Sequence, residues 1–154
     1  MTKTFLSALL LVVVASNSIA QTKEQTEAWI IQQTEMNPYA MKPIIEGHEL
    51  ISRITMASVT VGGETIQKAI PINLVTTIAY THTSEYLSYT MTCDKPCAYL
   101  LEEPDQKRPK FLFEIYRQLD AAYVSRMNSA LLHLVKLHGG KAKVVKADAP
   151  KPAF

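Results

Sequence analysis

Apolar and polar residues alternate along most of the segment from Leu50 to Ile115. In the clearest case Leu87, Tyr89, Met91 and Cys93 fall on one side of an extended chain. A strand that buries one face requires this period of two, and the segment is also rich in Val, Ile, Thr and Tyr. The pattern predicts about six or seven antiparallel strands, of which the first begins at the start of this segment.

Breaks in the alternating pattern predict local features of the sheet. A change of apolar phase at Met56-Ala57 predicts a bulge, and Gly62-Gly63 predicts a tight hairpin. Ile70, Ile72 and Leu74 keep one apolar phase across Pro71, which donates no ladder hydrogen bond and therefore predicts a sheet edge or a strand end.

Helical signals flank the sheet. Thr22-Lys23-Glu24-Gln25 fits a capping box, and Asn37-Pro38 ends the short helix that follows it. Before Gly139-Gly140, apolar residues recur every three or four positions and predict a long amphipathic helix from Asp120 to His138, with His138 near its negative end. The fold class is therefore α+β, with an antiparallel sheet between a short N-terminal helix and a long C-terminal helix.

Two charged segments predict exposed, irregular structure. Residues 102–110 read EEPDQKRPK, a composition typical of a loop and not of a strand, and His82-Thr83-Ser84 is typical of a turn. The Lys, Ala and Pro residues of 141–154 predict a disordered basic tail.

The first twenty residues have the pattern of a secretory signal peptide: Lys3, an apolar stretch from Phe5 to Ala15, and small residues at Ser18 and Ala20. The mature chain would then begin at Gln21, with one domain over 21–140 and no transmembrane segment, and it would be periplasmic or secreted. The whole chain has 16 Lys and Arg against 14 Asp and Glu, so we expect no nucleic-acid partner.

Cys93 and Cys97 are the only cysteines, and in an exported protein two cysteines usually pair. We expect a disulfide that pins a hairpin. Redox catalysis is disfavoured because the spacing is C-x-x-x-C among strands. A metal site that includes Met91 is a further alternative.

No cofactor or metal is expected from the remaining motifs. The histidines at positions 48, 82, 133 and 138 form no metal-ligand pattern, and no nucleophile elbow or phosphate-binding loop occurs. Loops on a rigid scaffold are where binding usually resides. The candidate binding residues therefore come from the two predicted loops: His82, Ser84, Glu102, Glu103 and Asp105.

Three features together carry a resemblance: TEAWI at Thr26–Ile30, the C-x-x-x-C segment, and SRMNSALLHLVKLHGGK at Ser125–Lys141. The chain resembles a group of small, mostly uncharacterised exported bacterial proteins, and its architecture resembles a pleckstrin-homology-like barrel closed by a C-terminal helix. This resemblance implies a single, strongly bent antiparallel sheet or partly open barrel. Phosphoinositide binding is not implied, because no basic cluster flanks the first hairpin.

Two functional hypotheses follow from these patterns. The first is an exported, non-enzymatic binding or interaction module with an unknown small ligand or protein partner. The second is a small periplasmic thiol/disulfide or metal-binding protein that uses Cys93 and Cys97.

Overall fold

The structure is a computed structural model that describes residues 22–35, 41–56, 64–115 and 119–148. Within these ranges the elements are α1 (Lys23–Glu35), β1 (Met41–Glu46), β2 (Glu49–Met56), β3 (Glu64–Pro71), a 3-10 helix (Ile72–Leu74), β4 (Val75–His82), β5 (Leu87–Cys93), β6 (Ala98–Leu100), β7 (Glu103–Arg108), β8 (Phe111–Ile115), α2 (Ala121–Leu137) and β9 (Lys143–Lys146). The fold is α+β and mostly antiparallel, as predicted. None of the described helices is long and apolar enough to cross a membrane.

The strands form two hydrogen-bonded sheets, with orders β1-β2-β3-β6-β7 and β8-β5-β4-β9. The prediction of a single sheet is therefore wrong. The chain crosses from the first sheet to the second through the 3-10 helix, because Pro71 has no amide hydrogen to extend the ladder of β3. β3 ends at Pro71, so the strand end predicted there is confirmed, and Leu74, which is 50% exposed at the end of the 3-10 helix, does not keep the apolar phase of Ile70 and Ile72.

The first sheet begins earlier than predicted, at Met41. Strand β1 pairs with β2 through a turn in which Gly47 has a φ of 61°, a left-handed conformation that glycine adopts without steric cost. The strand lies at the edge of its sheet, where Pro43 is tolerated. A single short strand that contains Pro and ends in Glu46 shows little of the alternation on which the sequence prediction rests.

Residues 103–108 form a strand, so the prediction of an irregular loop is wrong, although these residues are exposed as expected. β7 is the edge strand of the five-stranded sheet. Charged side chains and Pro104 suit this position, because an unpaired edge carrying them resists pairing with another chain.

The predicted disordered tail is also wrong for Lys143–Lys146, which form β9 and pair in parallel with β4. Val144 is half-buried and packs against the core, whereas the other three residues of the strand are exposed. Several predictions concern residues outside the described ranges: the signal peptide within 1–21, the end of the tail at 149–154, the second residue of the Met56-Ala57 bulge and the Gly62-Gly63 hairpin turn.

Helix α2 covers the core with the face that its apolar spacing predicts. Its buried residues are Tyr123, Val124, Met127, Leu131, Leu134 and Val135. They share one cluster with Ile30 of α1 and with fully buried strand residues such as Phe111 and Phe113. Each such side chain contributes about 1.5–3 kcal/mol by its removal from water, so this cluster holds both helices against the sheets.

Candidate functional site

Cys93 and Cys97 form the predicted disulfide, with their Cα atoms 6.1 Å apart. Its structural role differs from the prediction, because Cys93 ends β5 of one sheet and Cys97 precedes β6 of the other. The bond therefore ties the two sheets together and does not pin a hairpin. Cys97 is only 7% exposed.

His82 is the last residue of β4, so the turn follows this residue and does not include it. Its Nε2 lies 3.0 Å from the carbonyl oxygen of Leu119. Because a carbonyl only accepts, Nε2 carries the proton, and Nδ1 is the nitrogen that remains for a ligand. The turn itself is held by Thr83, whose hydroxyl accepts from the amides of Glu85 and Tyr86 at 3.2 Å, and Ser84 is exposed within it.

The acidic candidates lie on the other sheet. Glu102 is in the turn before β7, and Glu103 and Asp105 are exposed residues of that strand. Glu103 accepts from Arg108 at 3.3 Å in a solvent-exposed pair. The two predicted loop surfaces therefore lie on different sheets, and the acidic one is a solvent-exposed strand edge.

A cleft of about 250 Å³ opens beside His82, between β4, β9 and the first turns of α2. Its described lining residues are Tyr80, His82, Ala121, Val124, Ser125, Asn128 and Lys146. The parallel pairing of β4 with β9 aligns Tyr80 with Lys146, and the amide of Ala147 donates to the carbonyl of Tyr80 at 2.8 Å. Sequence analysis missed Lys146 because it assigned this segment to the tail.

The cleft is rich in groups that donate hydrogen bonds. Lys146 supplies an ammonium, Tyr80 and Ser125 supply hydroxyls, and no carboxylate occurs among the described lining residues. The Tyr89 hydroxyl donates to Oδ1 of Asn128 at 2.7 Å, so the NH₂ group of Asn128 is the end of the amide left to donate. Burial raises the pKa of Tyr89 far above its ordinary value, which keeps this phenol protonated as a donor.

A second polar group joins three distant segments at the opposite end of α2. Nδ1 of His48, in the turn between β1 and β2, lies 3.2 Å from Nδ1 of His138. Nε2 of His138 lies 2.9 Å from Oε1 of Glu27 on α1. The side chain of His138 is fully buried in this contact, which adds to the helix-end position predicted for this residue.

The end of α2 fixes the position of His138. Gly139 has a φ of 84°, its amide donates to Lys136, and the amide of Gly140 donates to Val135 at 2.9 Å. These two bonds form a Schellman motif, in which the left-handed glycine directly follows the C-cap residue. His138 is that C-cap, so the predicted glycine stop fixes the backbone from which its side chain extends.

Comparisons with protein-family models, curated proteins and solved structures found no match to this chain.

Proposed function

We propose that this chain is an exported, non-enzymatic binding protein that holds a small carboxylate- or phosphate-bearing molecule in the cleft between β4, β9 and α2. The observation that carries the proposal is the clustering of Lys146 with several neutral donors, without a carboxylate among the described lining residues. An anion placed there exchanges its hydration for charge-assisted and neutral hydrogen bonds.

Two features of the cleft favour an anion over a neutral ligand. Lys146 makes no ion pair with any described residue, so its charge is not already compensated within that part of the chain. Ala121 begins α2, and the aligned peptide dipoles make this end of a helix positive. Asp120 offsets part of this field, because its carboxylate accepts from the amide of Tyr123 at 2.6 Å.

The apolar part of the cleft limits what the rest of the ligand can be. Val124 is 5% exposed and packs into the core, and Ala121 presents only a methyl group. With a volume of about 250 Å³, the cleft suits a compact ligand, such as a short-chain or aromatic acid or a small phosphate ester. Donors around Lys146 would bind the anionic end, and Val124 would contact the apolar end.

Calorimetric titration with inorganic phosphate and, separately, with benzoate tests this proposal. We expect saturable binding of at least one probe. The Lys146→Gln substitution should weaken it about tenfold or more, because a hydrogen bond to a charged group contributes about 1.5–3 kcal/mol. Lys143→Gln is the matched control, since Lys143 is an exposed lysine of the same strand outside the lining set, and it should bind within twofold of wild type.

Two results would contradict the proposal. If neither phosphate nor benzoate binds to the wild-type protein, the cleft is not an anion site. Equal affinities for Lys146→Gln, Lys143→Gln and wild type would show that the anion binds elsewhere.

The proposal includes export and leaves a rival. Export is supported by the disulfide, which forms in oxidising compartments, and the intact mass of protein recovered from the periplasm or medium should begin at Gln21. The rival is a thiol or metal protein centred on Cys93 and Cys97. Titration of native protein separates the two, because two accessible thiols would favour the rival and none would favour the structural disulfide. The pleckstrin-homology-like resemblance stays a prediction.

A further inference from the structure

The group formed by His48, His138 and Glu27 brings two imidazole rings and a carboxylate from three segments of the chain into contact. The two Nδ1 atoms face each other, with ring centroids 5.3 Å apart and ring planes at 85°. Glu27 occupies the far nitrogen of one ring only. His48 is exposed and His138 is buried, so the contact lies where a solvent-borne ligand can reach the outer ring.

We propose that His48 and His138 bind one divalent zinc ion through their Nδ1 atoms, and that Glu27 orients His138 as a positioning residue. This site is separate from the anion cleft and uses none of its residues.

The distance between the two nitrogens fits this metal. Zinc binds imidazole nitrogen at about 2.0–2.1 Å, and at that bond length two nitrogens 3.2 Å apart subtend an angle of about 100–106° at the metal, close to tetrahedral. Zinc would replace the proton that Nδ1 of His48 donates to Nδ1 of His138, and the neutral ring of His48 would then carry its proton on Nε2.

The carboxylate of Glu27 supplies the partner that a metal-binding histidine usually has. Metal-bound histidines almost always donate their other ring nitrogen to a carboxylate, a carbonyl or water, and this fixes the tautomer and raises the basicity of the ligating nitrogen. The 2.9 Å contact with Glu27 keeps the proton of His138 on Nε2 and leaves the lone pair of Nδ1 directed at His48.

Water completes the coordination in this proposal. Among the described residues no three His, Cys, Asp or Glu side chains converge on one metal position, so the protein supplies two ligands. Such a site binds zinc more weakly than a four-ligand structural site, and it keeps open positions where an additional ligand can bind.

Zinc titration of untagged protein, followed by calorimetry and by long-range ¹H–¹⁵N spectra of the imidazoles, tests the site. We expect one saturable zinc ion, with the Nδ1 signals of His48 and His138 shifting together. His48→Ala should lose at least tenfold in affinity. Because His48 is exposed, this variant is expected to fold, and its circular dichroism spectrum checks that it does.

Two further variants complete the design. Glu27→Gln should weaken zinc binding about 10- to 100-fold, the usual effect of removing such a partner. His133→Ala is the control because it removes an imidazole from the same helix, and it should bind as wild type does. Three results would overturn the site: no saturable zinc binding, unchanged affinity in His48→Ala, or an equal loss of affinity in His133→Ala. Unchanged affinity in Glu27→Gln would overturn the positioning role.

Discussion

Gly140 lies where α2 ends against the 3-10 helix, and its replacement by Ala tests this packing. A Cβ built on Gly140 would lie 2.7 Å from the carbonyl oxygen of Asn73 and 2.8 Å from Cγ1 of Val135. Both distances are below those that real Cβ atoms adopt, so a neighbour must move. We expect Gly140→Ala to lower the free energy of unfolding by about 2–3 kcal/mol, within the usual cost of overpacking.

The oxygen of Asn73 cannot move cheaply because the backbone around it is held. Ile72, the preceding residue, is 2% exposed, and its amide donates to the carbonyl of His48 at 2.8 Å. A shift of Asn73 would therefore disturb the buried side chain of Ile72 and the turn between β1 and β2 that contains His48.

Gly139→Ala is the matched control at the neighbouring position. Its Cβ would meet nothing within 4 Å, but the φ of 84° disfavours any L side chain. We expect a cost of about 1 kcal/mol from this conformation. Urea unfolding measures both variants, and we expect the dependence of the unfolding free energy on urea concentration to be the same as in wild type. A loss below about 0.5 kcal/mol for Gly140→Ala, or a larger loss for Gly139→Ala, would refute the packing argument.

Three further predictions concern other parts of the molecule. Replacing Cys93 and Cys97 together by Ser should lower the free energy of unfolding by about 2 kcal/mol, the chain-entropy value for so short a loop, and a urea midpoint equal to that of wild type would contradict it. Thr22→Ala removes the capping hydroxyl of α1 and should cost about 1 kcal/mol in the same assay, whereas no change would show that the cap contributes nothing. Burial and the hydrogen bond to Glu49 raise the pKa of Tyr99 from 10.0 to about 12. The stabilisation from the neutral phenol is thus complete below about pH 10 and is lost as pH rises through about 12. Tyr99→Phe should therefore reduce the loss of stability that urea unfolding measures across this pH range. A pH profile equal to that of wild type would contradict the assignment.

The elements that sequence analysis predicted correctly are those whose signals are local. Helix α2 has an apolar period and a glycine stop within one segment, and Gly139 ends it there as predicted. Strand β8 shows the same agreement, because Phe111 and Phe113 alternate with half-buried residues. Each of these patterns requires only neighbours in sequence.

The parts that were missed depend on contacts between distant residues. The cleft exists because four residues of β9 pair with β4, and nothing in KVVK indicates a parallel partner more than sixty positions earlier. The contact between His48 and His138 spans 90 positions, so ligand spacing in the sequence could not reveal it. The disulfide was predicted from the number of cysteines and the expected export, whereas its role between two sheets depends on topology.

The most direct test of the proposed binding function is the change in backbone ¹H–¹⁵N spectra of the untagged protein as inorganic phosphate and benzoate are added. Binding in the cleft predicts saturable shifts centred on Ser125, Asn128 and Lys146, and their loss in Lys146→Gln. Shifts centred on the β7 edge near Glu103, or no saturable shift with either anion, would contradict it.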